Sequence, residues 1–442
     1  MLSSTFTRCI LPTLASGRRV KPAGAAPRPM TSEAPAVQAD GDLPSFPFAR
    51  PSGYEPAAEY AEIRASKCPM AKAKLFDGSP IWMATKLEDL QAVLVDDRFS
   101  KVRTHPGFPE LSPGAKAAVK GREASYVDMD PPEHTRYRSI FEPFFNEAAA
   151  AALRPSIEAK VNELIDGMER QAGANGGSVD LVEAFSLPLA FRVIYELMGV
   201  PIEDYETLSS NVAVRASGSS NARDAAAAQE KLTAYMESLI ASKEASPGDD
   251  MLSRVIEGQL KPGLISRESL VAHAFLHLVA GNATVASMIN LGLVSLLEHP
   301  DQMEALRKDP SLMPGAVEEI CRYHTASALA LRRVALTDVE VGGVTVRAGE
   351  GIIALNQSAN RDEAAFPDPD KFDIRRDASA QVAYGYGTHK CVAMPLAMAE
   401  LEAAFSGLLA RLPGIKLAVP ADQLQWSNPK GDVGLKSLPV TW

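Results

Sequence analysis

The stretch Tyr384-Gly-Tyr-Gly-Thr-His-Lys-Cys391 holds the residues whose chemistry is easiest to read. Two glycines and a threonine make a tight loop that ends on a cysteine, and helix-forming residues follow from Ala393. A glycine loop lets the backbone approach a flat ligand closely. A thiol at a helix N-terminus is expected to have a lowered pKa and to favour thiolate. No second cysteine lies near Cys391, and structural zinc needs four ligands. A single thiolate suffices for haem iron. A buried structural thiol fits the same residues, so the loop by itself leaves both readings open.

Other residue pairs are less specific. Glu319-Ile-Cys-Arg322 puts an acid and a base on one helix face. On the surface such a pair would contribute little. His273 and His277 have a spacing that could bind metal, but no third ligand is visible, and a core or surface role is favoured. Cys321 reads as a small buried apolar residue. No Gly-x-Gly-x-x-Gly follows a predicted strand, so a Rossmann site is not expected.

Taken together with its neighbours, the Cys391 loop resembles the cysteine-ligand loop of the cytochrome P450 family. That family usually has Phe where this chain has Tyr384, and Gly where it has Ala393. The second departure implies tighter packing of the following helix on the haem. Glu319-Ile-Cys-Arg322 is similar to the family's Glu-x-x-Arg helix. The resemblance implies that this pair is buried, fixed by Pro369-Asp-Lys-Phe372 and completed by Arg376. His134-Thr-Arg-Tyr-Arg138 matches a motif whose His and Arg hold haem propionates, and Arg333 and His389 match positions of the same role. Cationic clamps on carboxylates are chemically reasonable. The implied fold is mainly α with small β-sheets (α+β), built around haem b with Cys391 as the axial ligand.

Within the family, Ala280-Gly-Asn-Ala-Thr284 and Tyr323-His-Thr-Ala-Ser-Ala-Leu-Ala330 resemble the fungal-type nitric oxide reductases. So do Ser100–Arg103, Gly107–Leu111, Asn356–Asp362 and Asp432-Val-Gly434. In oxygen-activating members an acid usually precedes the threonine; here Ala283 stands there. The resemblance implies reduction of two NO to N2O and water, by direct hydride transfer from NADH or NADPH to ferric haem–NO. No redox partner protein is implied. Lys101, Arg103, Arg215 and Arg332 match basic positions that line the nicotinamide entrance, with Ala280 beside the cofactor. The loop Leu111–Gly114 would face the adenosine end. Thr284, Ser327 and Asp432 match a hydroxyl–carboxylate proton relay, in that order of weight; Ser and Thr both donate and accept, and Asp is the natural proton source. The competing readings are a monooxygenase fed by separate redox partners and a non-catalytic haem gas-binding protein.

The elements that must position these residues are mostly helical. The 3.6-residue pattern predicts helices at Leu87–Val95, started by Thr85, at Ala148–Gln171 and at Ala393–Leu412. It also predicts Pro314–His324 and one long apolar helix over about 267–298, capped by Ser266. Pro131-Pro132-Glu133 opens a further helix. Strands are predicted around Asp77-Gly78 within Lys74–Ala84, at Val334–Val346, at Gly351–Leu355 and near the C-terminus. Residues 46–442 form one catalytic domain after a disordered extension, 1–45. Residues 1–32 carry five basic residues and no acid, resembling an organellar transit peptide. That points to mitochondrion, with chloroplast or cytoplasm as alternatives. The net charge of −10 argues against nucleic acid and anionic lipid as partners. The apolar run Cys9–Leu14 is far short of the ~20 residues that cross a bilayer, and no membrane anchor is expected. Scattered cysteines without a CxxC pair argue against a disulfide framework. The expected assembly is a monomer.

Overall fold

The computed structural model describes residues 43–119, 121–174, 177–216 and 222–442. The transit-like segment lies outside the described residues. Pro44 and Ser45, assigned above to the extension, already belong to the folded part. The Pro44 carbonyl accepts the Lys74 N–H, and Ser45 bridges Lys74 in parallel.

The helices that build the site are α1 (Leu87–Val95), α2 (Glu133–Phe141), α3 (Glu147–Ala174), α4 (Arg267–Ala280), α5 (Asn282–Glu298), α6 (Met313–His324), α7 (Asn356–Ala359) and α8 (Met394–Arg411). The strands of the largest sheet are β1 (Met70–Lys74), β2 (Pro80–Ala84), β3 (Phe99–Ser100), β4 (Arg332–Ala335) and β5 (Gly351–Ala354), in the order β1-β2-β5-β4-β3. Only the β2–β5 pair is parallel, with Ile81 opposite Gly351. Short two- and three-stranded sheets lie at Val339–Val346 and among the C-terminal residues. Helices around one core with small sheets at the side are the mainly α architecture expected.

Local differences from the sequence reading have physical causes. The run 267–298 breaks at Gly281, because the Asn282 side-chain amide donates back to the Leu278 carbonyl instead of leaving the helix ladder intact. Thr85 does not cap α1. Its hydroxyl donates to the Pro69 carbonyl at 2.7 Å, and the orphan N–H of Leu87 is satisfied by Asp362 Oδ2 at 2.9 Å. The predicted strand Val334–Val346 divides into β4 and a hairpin, Val339–Val341 with Val344–Val346, turning on Gly342-Gly343. Cys68 is disulfide-bonded.

The stretch Arg267–Glu298 is long and apolar enough to cross a membrane by length and composition. Its most apolar window is 67% buried in protein, as a core helix requires. α5 packs against α6 and α8, and α8 against α3. Gly292 permits the first approach: a Cβ there would collide with Phe405 Cζ and lie 2.9 Å from Ile320 Cγ2. Gly292→Ala is therefore expected to lower stability by about 1–3 kcal/mol through overpacking, despite alanine's better helix propensity. A urea-unfolding midpoint equal to or above that of the parent protein would refute this.

Candidate functional site

The Cys391 loop is shaped by its own backbone. The Cys391 N–H donates to the Tyr384 carbonyl at 2.9 Å. Gly385 and Gly387 have φ of +76° and +66°, which L-residues adopt poorly. A Cβ on Gly387 would also stand 3.1 Å from the Leu94 carbonyl oxygen in α1. The loop delivers Cys391 just ahead of α8, where the Met394 N–H reaches the Cys391 carbonyl at 3.4 Å. The thiol is free. Its net pKa shift is upward, opposite to the expected direction. Loss of water raises it most, and the Ala393 N–H, Arg138, the Met394 N–H and Lys390 pull it only part of the way back. A coordinated metal ion would remove the proton outright.

Basic side chains gather beside this loop from four parts of the chain. His134 comes from α2 and is 1% exposed, and neither ring nitrogen has a hydrogen-bond partner. Its ring centroid lies 4.1 Å from that of His389. Arg333, on β4, is 2% exposed; Nη1 donates to the Arg332 carbonyl and Nη2 has no partner. Arg138 Nη1 donates to the Lys390 carbonyl at 2.6 Å, and Lys101 Nζ to the Ala330 carbonyl at 2.9 Å.

Their pKa values record burial first and, for all but Arg333, repulsion by neighbouring cations. Burial first, then Arg138 and Arg333, lowers His134 to about 4. Burial first, then Arg333, His134, Lys101 and Arg138, lowers His389 to about 2. Burial lowers Arg333 to about 10, against the pull of Asp130. Lys101 is held well below its ordinary value by burial, Arg333 and Arg332. Buried, unpartnered donors under like-charge repulsion call for an anion. Two carboxylates beside a thiol ligand are what haem would bring, so the residues fit that group.

The expected nicotinamide entrance is differently neutralised. Glu110 is 4% exposed and lies between two of its cations, with Oε1 2.6 Å from Arg103 Nε and Oε2 2.9 Å from Arg332 Nη1. Arg103 Nη1 also stands 3.9 Å from Asp128 Oδ2. The structure thus brings Lys101, Arg103 and Arg332 together, but the two arginines are taken up by an internal acid. The Arg215 side chain lies outside the described residues.

Of the residues expected to form a relay, Ser327 and Asp432 come from distant parts of the chain and lie beside each other, while Thr284 sits in the α4–α5 stretch. Ala280 and Ala283 are exposed and Thr284 half-buried in a helical stretch that is otherwise mostly core. Positions three and four apart share a helix face, so this stripe marks where the α4–α5 junction meets open space. Ala328, next to Ser327, donates its N–H to Asp432 Oδ1 at 3.0 Å, and Val433 N–H binds the Ala326 carbonyl. A Cβ on Gly434 would stand 2.7 Å from Ser287 Oγ, one turn after Thr284. Asn356 of α7 donates to the Ser327 carbonyl at 3.0 Å. The Asp432 carboxyl pKa is raised, by loss of water first, against the Ala328 and Leu329 N–H groups and the charges of Arg50 and Arg332.

His273 and His277 lie among Tyr126, Tyr137, Phe141 and Phe145. His273 accepts the Tyr126 N–H at 3.1 Å, and its Nδ1 is 2.6 Å from the Ser269 carbonyl. No cluster of three or more metal-binding side chains exists among the described residues. Cys321 is buried, its pKa pushed up to about 12, with Sγ 3.5 Å from the Tyr384 hydroxyl. Sequence reasoning gave no role to Arg50, Gln357 or the Glu110 carboxylate; Arg50 and Glu110 act on partners far away in the chain.

Comparison with known proteins agrees with this geometry. The sequence model of the family described as "Cytochrome P450" matches residues 213–414. Cytochrome P450 55A3 of Fusarium lichenicola is 48% identical over 90% of this chain and 98% of its own length. Pentalenic acid synthase of Streptomyces avermitilis is 40% identical over 90% and 97%. The crystal structure of GfsF superimposes with a TM-score of 0.84 at 36% identity, covering 90% of this chain and 100% of that one.

Proposed function

The chain belongs to the cytochrome P450 family, and on that premise we propose that it reduces nitric oxide: 2 NO + NAD(P)H + H+ giving N2O + NAD(P)+ + H2O. The nicotinamide is the direct hydride donor, and no redox partner protein takes part. Family membership brings haem held by a cysteine thiolate. In this reading Cys391 is that ligand, and His134, Arg138, Arg333 and His389 hold the propionates. When bound, the haem supplies the iron at which NO is reduced.

The chain's own residues then bind, orient and supply protons. Among the described entrance residues Lys101 makes no salt bridge, its Nζ resting on the Ala330 carbonyl, and it is the one that meets the dinucleotide's charge. Glu110 fixes Arg103 and Arg332 as a rigid wall of that entrance. Thr284 and Ser327 pass a proton that Asp432 provides. The observation that carries the reading is this convergence. A carboxyl with a raised pKa is tied to the backbone beside Ser327, and its neighbour Gly434 packs on Ser287, one helical turn after Thr284, while α5 offers Ala283 where a carboxylate would otherwise stand. The 48% identity to cytochrome P450 55A3, against 37–40% for several Streptomyces relatives, lends further support.

The test is direct. Haem-loaded ferric protein is mixed with NO, and NADH or NADPH is added with no other protein. One N2O per nicotinamide oxidised is expected. A requirement for a ferredoxin-type donor would replace this reading with a monooxygenase. A nitrosyl complex indifferent to both nicotinamides would leave only gas binding.

A further inference from the structure

We propose that Arg50 is a positioning residue for the Asp432 carboxyl, and that the small cavity beside it is where the relay's proton enters. The inference rests on the reading of Asp432 as proton source.

Arg50 is 8% exposed and closes the loop 427–431 from the far end of the chain. Its Nη1 donates to the Gly431 carbonyl at 2.5 Å. Its Nη2 donates to the Asn428 carbonyl at 2.9 Å and to Ser427 Oγ at 3.3 Å. Its Nε reaches the Gly53 carbonyl at 3.2 Å, and its own N–H the Pro429 carbonyl at 3.0 Å. Ser427 Oγ in turn donates to the Asp432 carbonyl at 2.8 Å. The loop therefore cannot shift without breaking charge-assisted bonds, which are roughly twice as strong as neutral ones. A buried arginine bound only to neutral acceptors has no ion-pair partner to cancel its charge. Asp432 feels that charge, and that of Arg332 of β4 as well.

The cavity beside this clamp is about 10 Å³, the size of one water. Phe48, Arg50, Tyr60, Leu329, Gln357 and Gly431 are among its lining. Gln357 is 3% exposed and its Nε2 has no hydrogen-bond partner. A buried amide donor without a partner costs free energy unless water satisfies it. A water held there by the Gln357 amide stands between solvent and the Asp432 loop. Asp432 gives its proton toward Ser327, and that water returns one to it.

The sign of the pH effect follows. Arg50 favours the ionised carboxylate, so its removal raises the Asp432 pKa. Turnover that needs protonated Asp432 falls as pH rises through that pKa. Arg50→Met is expected to move the alkaline limb of kcat upward by about one pH unit, with KM for NADH changed less than about twofold. Arg50→Lys keeps the charge but cannot span the loop carbonyls. It is expected to leave the limb in place and lower kcat about fivefold. Gln357→Leu, which keeps shape and loses the amide, is expected to lower kcat several-fold and to enlarge the solvent deuterium effect. All are compared as haem-loaded enzymes of equal ferrous–CO absorbance. Asp432→Asn is the control, expected to lose at least about a hundredfold in kcat. If Asp432→Asn turns over normally, the relay reading beneath the proposal fails. If Asp432→Asn is impaired but Arg50→Met keeps the parent pH profile, or Arg50→Lys the parent kcat, Arg50 has no such role. Should Arg50→Met fail to hold haem, Arg50→Lys decides alone. Parent-like turnover in Gln357→Leu overturns the inlet.

Discussion

Cys391→Ala is expected to lose the thiolate-shifted ferrous–CO absorption and to lower NO turnover by at least about 10³, equivalent to about 4 kcal/mol of barrier. The expectation follows from what is left behind. Among the described residues the only other free thiol is Cys321, fully buried and in contact with the Tyr384 hydroxyl. It sits within α6 and cannot exchange places with a residue on the 384–391 loop. The backbone of that loop would survive, because the glycine conformations and the Cys391 N–H to Tyr384 carbonyl bond do not involve the sulfur. His134, Arg138, Arg333 and His389 would also remain, so the variant is expected to take up haem weakly with an absorption typical of nitrogen or water ligation. Spectra of the haem-supplemented variant decide the matter. Retention of the thiolate-type band would show that another residue is the ligand.

Arg50 and Glu110 show where sequence reasoning stops. The Cys391 loop was legible because its information is local: two glycines at fixed offsets, a thiol, then a helix. The stripe Ala280, Ala283 and Thr284 was legible for the same reason, since a helix turns spacing into a shared face. The mainly helical architecture followed from periodicity. Pairings set by topology were not legible. Glu110 meets Arg332 across 222 residues, and Arg50 meets Gly431 across 381. Spacing cannot announce that an acid in a Pro-rich loop will neutralise two arginines expected to face phosphates. The break at Gly281 was hidden because apolar periodicity runs through it, while the cause is one side-chain amide competing for a helix carbonyl. The Cys391 pKa was misjudged in direction because a sequence shows the helix N-terminus and not the desolvation that outweighs it.

Glu319→Gln is expected to cost roughly 3–5 kcal/mol of stability, the range for breaking a buried ion pair. Both partners are fully buried, with Arg322 Nε 2.6 Å from Oε2 and Nη2 2.8 Å from Oε1. Arg322 Nη1 continues to the carbonyls of Asn360 and Pro369, each at 2.8 Å. Oε1 also receives the Asp373 N–H at 2.9 Å and Arg376 Nε at 3.2 Å. One carboxylate thus neutralises two guanidiniums and fastens the segment 367–376, which leads into the Cys391 loop. A surface pair of the same spacing would contribute under about 1 kcal/mol, so burial decides the magnitude. An amide in its place can accept from only one side and leaves Arg322 charged in the core. Removing both charges, in Glu319→Leu with Arg322→Met, is expected to cost less than Glu319→Gln alone, because the fully buried guanidinium goes with its partner and only the less deeply buried Arg376 loses a carboxylate. Urea unfolding of the haem-loaded proteins, followed by the Soret band and by far-UV dichroism, measures both. A loss below about 1 kcal/mol in Glu319→Gln, or a double variant worse than the single, would show that Glu319 and Arg322 are not coupled as their geometry requires.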